Sequence, residues 1–271
     1  LATISSEPAL SQLDATWRTL RAAGRTALIP YLTAGYPTRE ASLALLRAAA
    51  QTCDIIEVGV PFSDPLADGP TIQRSTFEAL KQGMTLAGTL DLIREANVAV
   101  PVVVFSYLNP VRRYGLDRFL ADAKAAKACG LLLTDLPAGA DPAFEASVRA
   151  SSLDLIRLLA PTTRDARLAE AVEGAAGFLY LVARLGVTGA SAQLATGLDA
   201  YIARVRSATP LPLAVGFGIS SPAQAAEVAH MADGVVVGSA LVEIAGRDGV
   251  GAAADFLGAL RRALDAAPGR A

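Results

Sequence analysis

The 271-residue sequence predicts an α/β chain, a (β/α)8 TIM barrel with an added N-terminal helix. Three observations carry this. Eight short apolar segments recur near residues 26–33, 53–59, 101–107, 131–135, 154–159, 177–182, 211–216 and 234–238. They are continuous rather than alternating, as in a parallel sheet buried on both faces, with helical text between them. The late glycines fall at strand ends, in Gly216-Phe217-Gly218 and Gly238-Ser239, and no GxGxxG turn follows the first strand. That sets the doubly wound dinucleotide-binding sheet second.

The elements follow in order. Segment 8–23 places Leu10, Leu13, Trp17 and Leu20 on one helical face, a stripe suited to core packing. Thr38 precedes a helix from Arg39, and Gly69-Pro70 opens another. Asp141-Pro142 offers an N-cap with proline at the first helical position. Ser221-Pro-Ala-Gln224 reads as a capping box. No linker, charge block or compositional break interrupts the rhythm, so residues 1–271 are expected to form one domain.

Composition narrows the function classes. Apolar residues make up 52% and charged residues 18%, which predicts a sizeable core. A net charge of −2 gives no electrostatic reason to expect nucleic acid or an anionic membrane. The N-terminal text lacks a basic region followed by an apolar run, and no apolar run reaches membrane-spanning length, so a cytoplasmic location is expected. Cys53 and Cys129 sit apart in apolar contexts and read as buried free thiols. His230 is the sole histidine, which disfavours a zinc site or a histidine triad. The three lysines, Lys81, Lys124 and Lys127, lie in helical text rather than at strand ends, which disfavours a Schiff-base aldolase.

The most informative stretch is 55–73, IIEVGVPFSDPLADGPTIQ. It starts as an apolar strand holding one carboxylate, Glu57. A loop with Asp64 and Asp68 follows, then a helix. A charge in such a strand is costly to bury without a task or a partner. Carboxylates gathered at a strand end suit acid–base chemistry, although a structural ion pair is the plainer alternative for a lone Glu. The glycine turns after the seventh and eighth strands suit a phosphate, because glycine lets backbone N–H groups approach an anion closely. Another glycine turn, LGVTG at 185–189, follows the sixth strand.

The run EVGVPFSDPLADGPTIQ at 57–73 resembles the signature of the tryptophan synthase α subunit family. The resemblance continues through YLNP at 107–110, DLP at 135–137, APTT at 160–163, GVTG at 186–189, GFGISSP at 216–222 and GSALV at 238–242, from about Pro30 to Val242. It implies a barrel with an added N-terminal helix. The implied reaction is retro-aldol cleavage of indole-3-glycerol phosphate to indole and glyceraldehyde 3-phosphate, with no cofactor and no metal. Glu57 and Asp68 match the catalytic carboxylates. Glu57 would protonate indole C3 and take the glycerol hydroxyl proton; Asp68 would face the ring N1–H. Free glutamate, with a pKa of roughly 4.3, is a poor acid at neutral pH, and an apolar strand end can raise that value.

The resemblance also implies the surrounding site. Tyr180 would lie near the glutamate, and Thr188 would hydrogen-bond the aspartate when its loop closes. Gly189, Phe217, Gly218, Gly238 and Ser239 match phosphate-binding positions. Tyr31, Phe105, Leu132 and Thr134 match the indole pocket, where packing explains them equally well. Ala183-Arg184 departs from the Ser-Arg common in the family. The implied partner is a tryptophan synthase β subunit, a pyridoxal-phosphate enzyme, in an α2β2 assembly, with Pro61, Asp64, Asn109 and Asp135 at contact positions. The alternative is a stand-alone lyase of the same fold releasing free indole.

Overall fold

The computed structural model describes residues 10–183, 197–216 and 218–267. Eight parallel strands close in sequence order: β1 (Ala27–Thr33), β2 (Ile56–Gly59), β3 (Val102–Ser106), β4 (Ala128–Leu133), β5 (Asp154–Leu159), β6 (Leu179–Val182), β7 (Leu213–Gly216) and β8 (Gly234–Val237), with β8 pairing back to β1. Almost every strand residue is buried. That is why the strands read as continuous apolar runs: helices cover one face and the barrel interior fills the other.

Helix α1 (Gln12–Ala22) seals the N-terminal mouth of the barrel. Leu13 and Trp17 press on Gly130, Gly177 and Gly234 so closely that a Cβ at any of these would lie within about 3.2 Å of one of them. Trp17 also meets Phe178 edge to face, with ring centroids 5.7 Å apart. The expected stripe holds for Leu13, Trp17 and Leu20 but not for Leu10, which is 51% exposed. The reason is local. Ser11 caps the helix by accepting the N–H of Asp14, so Leu10 lies before the first turn.

The other start signals hold. Thr38 caps α2 (Arg39–Ala49), Pro70 is the first residue of α3 (Pro70–Lys81), and Asp141 caps α7 (Pro142–Arg149). Ser221 caps α10 (Pro222–Ala229), but the returning arm of the box differs: Gln224 Oε1 accepts the N–H of Ser220, not of Ser221. The fourth strand departs from the expected 131–135 and begins at Ala128. Lys127, in a left-handed turn with φ 62°, swings the chain into it and is therefore not helical. Cys53 and Cys129 are buried and unbridged, and burial raises both thiols, which makes them inert packing residues.

Two ionic ties fix the outer layer. Asp54, just before β2, accepts the N–H of Leu28 at 2.8 Å and pairs at 3.0 Å with Arg261 of the C-terminal helix α11 (Ser239–Ala266). Arg157 of β5 pairs with Glu145 of α7, both buried. Arg157 also donates to the carbonyl of Leu136, and Glu145 accepts the N–H of Gly139, so the loop after β4 is held by this pair. No described helix is long and apolar enough to cross a membrane.

Candidate active site

The strand register sets the site. Glu57 lies in β2 between Tyr31 of β1 and Val103 of β3. Two residues on, Gly59 has no side chain because Tyr31 occupies that space: a Cβ there would lie 2.0 Å from the Tyr31 hydroxyl. Gly216 stands in the same relation to Tyr180, at 2.1 Å. Gly216 therefore makes room for a tyrosine rather than for an anion. Tyr31 packs edge to face on Phe105, with centroids 5.1 Å apart, and Phe105 faces Tyr180 at 6.4 Å. Three rings thus form an aromatic wall at the C-terminal ends of the strands.

Glu57 is fully buried, and neither carboxylate oxygen has a hydrogen-bond partner among the described residues. Burial alone pushes its pKa up to about 8. An unpaired buried carboxylate avoids the cost of a naked charge by keeping its proton. Asp68 ends the loop that leaves β2. Its N–H donates to the carbonyl of Pro65 at 3.1 Å, and its own carbonyl accepts from the Gln73 amide at 2.8 Å. Burial pushes its pKa up to about 6, less far because the Tyr107 hydroxyl hydrogen-bonds the ionised form. Near pH 7 these shifts favour opposite states, a protonated Glu57 and an ionised Asp68.

One cleft is lined by Tyr31, Asp68, Phe105 and Tyr180 together with Gly218, Gly238 and Ser239, and Gly238 lies against Tyr31. Gly218, at φ 96°, makes the turn after β7. Gly238 precedes α11 and makes no side-chain cap, so the first N–H groups of that helix are left for another acceptor. Thr71, Ile72, Ile219, Ser220, Val236, Ala240 and Glu243 complete the lining; all but Val236 and Glu243 fall within the motifs that carry the resemblance, but none was named there as a site residue. Leu132 and Thr134 do not line the open cleft. Leu132 is fully buried in register with Phe105, and Thr134 lies just beyond β4 with a buried hydroxyl. Arg184, Thr188, Gly189 and Phe217 lie outside the described residues. Ala183 is buried, and its N–H donates to the carbonyl of Gly216 at 2.9 Å.

Tyr107 belongs to this site although sequence patterns did not pick it as a site residue. Its hydroxyl accepts the N–H of Ala67 at 2.9 Å while it faces Asp68, which pins the loop between β2 and α3. The YLNP text at the end of β3 was the available signal. The same segment connects to the expected contact residues. Asp135 accepts the N–H of Leu108 at 2.7 Å. Pro61 and Asn109 line a shallow groove with Phe62, Met84 and Arg113. Asp64 is exposed on the Asp68 loop, with Ser63 donating to its carboxylate at 2.5 Å.

Fold and site together define a (β/α)8-barrel protein with Asp68 lining a cleft and the buried, unpaired carboxyl group of Glu57 next to Tyr31 of its wall. The family profile described as Tryptophan synthase alpha chain matches residues 17–258. A tryptophan synthase alpha chain of Acidiphilium cryptum is 48% identical over 238 residues, covering 86% of each chain. That of Chloroflexus aurantiacus is also 48% identical, over 86% of this chain and 90% of its own. Among solved structures, Mycobacterium tuberculosis tryptophan synthase superposes with a TM-score of 0.87 at 41% identity, covering 94% of this chain and 98% of that one. The tryptophan synthase subunit alpha of Legionella pneumophila gives 0.87 at 35% identity, over 95% and 99%. The chain belongs to the tryptophan synthase alpha chain family.

Proposed function

We propose that this chain is a carbon–carbon lyase that cleaves indole-3-glycerol phosphate to indole and glyceraldehyde 3-phosphate in tryptophan biosynthesis. The observation that carries the reading is a pair of carboxyl groups: Glu57, fully buried and without a hydrogen-bond partner next to Tyr31, and Asp68 in the lining of the cleft, with burial raising the pKa of Glu57 further than that of Asp68. The reaction needs both. Indole is a poor carbon leaving group until C3 is protonated, and that step places positive charge on the ring nitrogen. Glu57 donates the proton to C3, and ionised Asp68 stabilises the cation through the N1–H. Glu57, now a carboxylate, takes the proton of the neighbouring glycerol hydroxyl. The carbon–carbon bond breaks, the aldehyde forms, and the bonding pair restores the aromatic ring. Glu57 ends protonated, so the cycle closes.

The aromatic wall of Tyr31, Phe105 and Tyr180 suits the indole, and the open N-terminus of α11 suits the phosphate. The groove at Pro61 and Asn109, with Asp64 and Asp135 nearby, suits a β subunit of an α2β2 tryptophan synthase. It borders the Asp68 loop, so docking there acts on a catalytic residue. The chain works as one domain in the cytoplasm. The test is to incubate it with indole-3-glycerol phosphate, with and without a tryptophan synthase β subunit, and to follow indole and glyceraldehyde 3-phosphate. Equimolar products, faster with the partner, are expected; no indole in either case would refute the assignment.

A further inference from the structure

The cleft holds a carboxylate that the proposed chemistry does not use. Glu243 lies in α11 four residues after Ser239 and lines the same cleft. Residues four apart share a helix face, with Cβ atoms about 5–6 Å apart. Among the described residues lining the cleft, none is Lys or Arg; Asp68 and Glu243 carry its formal charge. Arg247, one turn further along, forks onto Asp248. The Ser220 hydroxyl donates to Gln224 Oε1 at 3.2 Å, so a phosphate at the α11 N-terminus would be held by backbone N–H groups and the Ser239 hydroxyl, with Glu243 opposing it.

We propose that Glu243 tunes phosphate affinity, weakening the grip on the phosphate that substrate and product share and so speeding release of the phosphorylated product. This rests on the phosphate site proposed above. The phosphate is remote from the bond that breaks, so its contacts bind substrate, transition state and product alike. Such uniform binding lowers KM without raising kcat. A charge that opposes it acts on KM and on product departure, not on the chemical step. For a dianion and a carboxylate roughly 8 Å apart across bulk water, Coulomb repulsion weakens binding about fourfold at about 0.01 M salt. Screening at about 0.1 M salt reduces this to about twofold.

The test compares the parent chain with Glu243→Gln and Glu243→Lys, using glycerol 3-phosphate as the probe at about 0.01 M and about 0.1 M salt. Glu243→Gln is expected to tighten glycerol 3-phosphate about fourfold at the lower salt and about twofold at the higher. Glu243→Lys should tighten it further. Indole affinity should not move, and KM for indole-3-glycerol phosphate should fall without a rise in kcat. Ser239→Asp serves as the control and should weaken the probe severely while leaving Tm nearly unchanged. If Ser239→Asp weakens the probe but both Glu243 variants leave it unchanged at both salts, Glu243 has no such role. If Ser239→Asp has no effect, the phosphate does not bind at this helix and the parent reading falls with the inference.

Discussion

Replacing Glu57 with Gln separates two consequences of one buried carboxyl group. The first is catalytic. The amide fills the same space but can neither give a proton to C3 nor take one from the hydroxyl, and general acid–base groups supply about 10²–10⁴-fold. Turnover should fall by that factor while substrate affinity changes little. The second is a matter of stability and pH. The folded-state pKa of Glu57 lies near 8, against an ordinary value of 4.5. Between these values the folded protein keeps a proton that the unfolded chain has released. The stability associated with that proton is complete below the ordinary value and is lost as pH rises through 8. At about 1.4 kcal/mol per pH unit, the loss across the window reaches a few kcal/mol. Glu57→Gln has no proton to lose. Its unfolding free energy, measured by denaturant titration from about pH 5 to about pH 8.5, should gain on the parent steadily as pH rises. Parallel stability curves, together with turnover within a few-fold of the parent, would refute both the burial argument and the catalytic one.

Asp68→Asn keeps an acceptor oxygen but loses the charge that opposes the developing cation. Steady-state kinetics should show a large fall in kcat with a smaller change in affinity, and an equal loss in both would make Asp68 a binding residue only. Asp64→Ala should spare the slow rate of the isolated chain but remove most of the acceleration by a β subunit, a coupling of roughly 1–3 kcal/mol, as read from indole release with and without the partner. Glu145→Ala leaves the buried Arg157 guanidinium unpaired and should cost about 3–5 kcal/mol in denaturant unfolding, whereas replacing both partners with apolar residues should cost far less.

Much of the fold was legible because burial on both faces wrote each strand as an apolar run. Start signals at Thr38, Pro70, Asp141 and Ser221 are local chemistry, and they held. Most of what failed depended on partners distant in sequence. Ala128-Cys129-Gly130 did not read as a strand, because Gly130 is glycine on account of Leu13, Val103 and Ile156 packed over it. Leu10 matched the helical stripe, but the Ser11 cap excluded it. Gly216 looked like part of an anion turn, yet it makes room for Tyr180. Glu57 and Asp68 were legible as carboxylates in an unusual place; their opposite protonation states were not, because those follow from how deeply the closed barrel buries each. Tertiary placement brings Glu243 into the cleft and the Tyr107 hydroxyl to Asp68.

In the proposed reaction a protonated Glu57 and an ionised Asp68 act together. The most direct measurement is the pH dependence of kcat/KM for indole release from indole-3-glycerol phosphate, which reports the groups of the free enzyme, in the parent and in Asp68→Asn. The parent should rise with pH as Asp68 ionises near 6 and fall as Glu57 loses its proton near 8. In Asp68→Asn the residual rate should keep the alkaline fall and lose the acidic rise. A parent rate that stays level from pH 5 to pH 9, or one that increases through pH 8, would contradict the assignment of Glu57 as the acid.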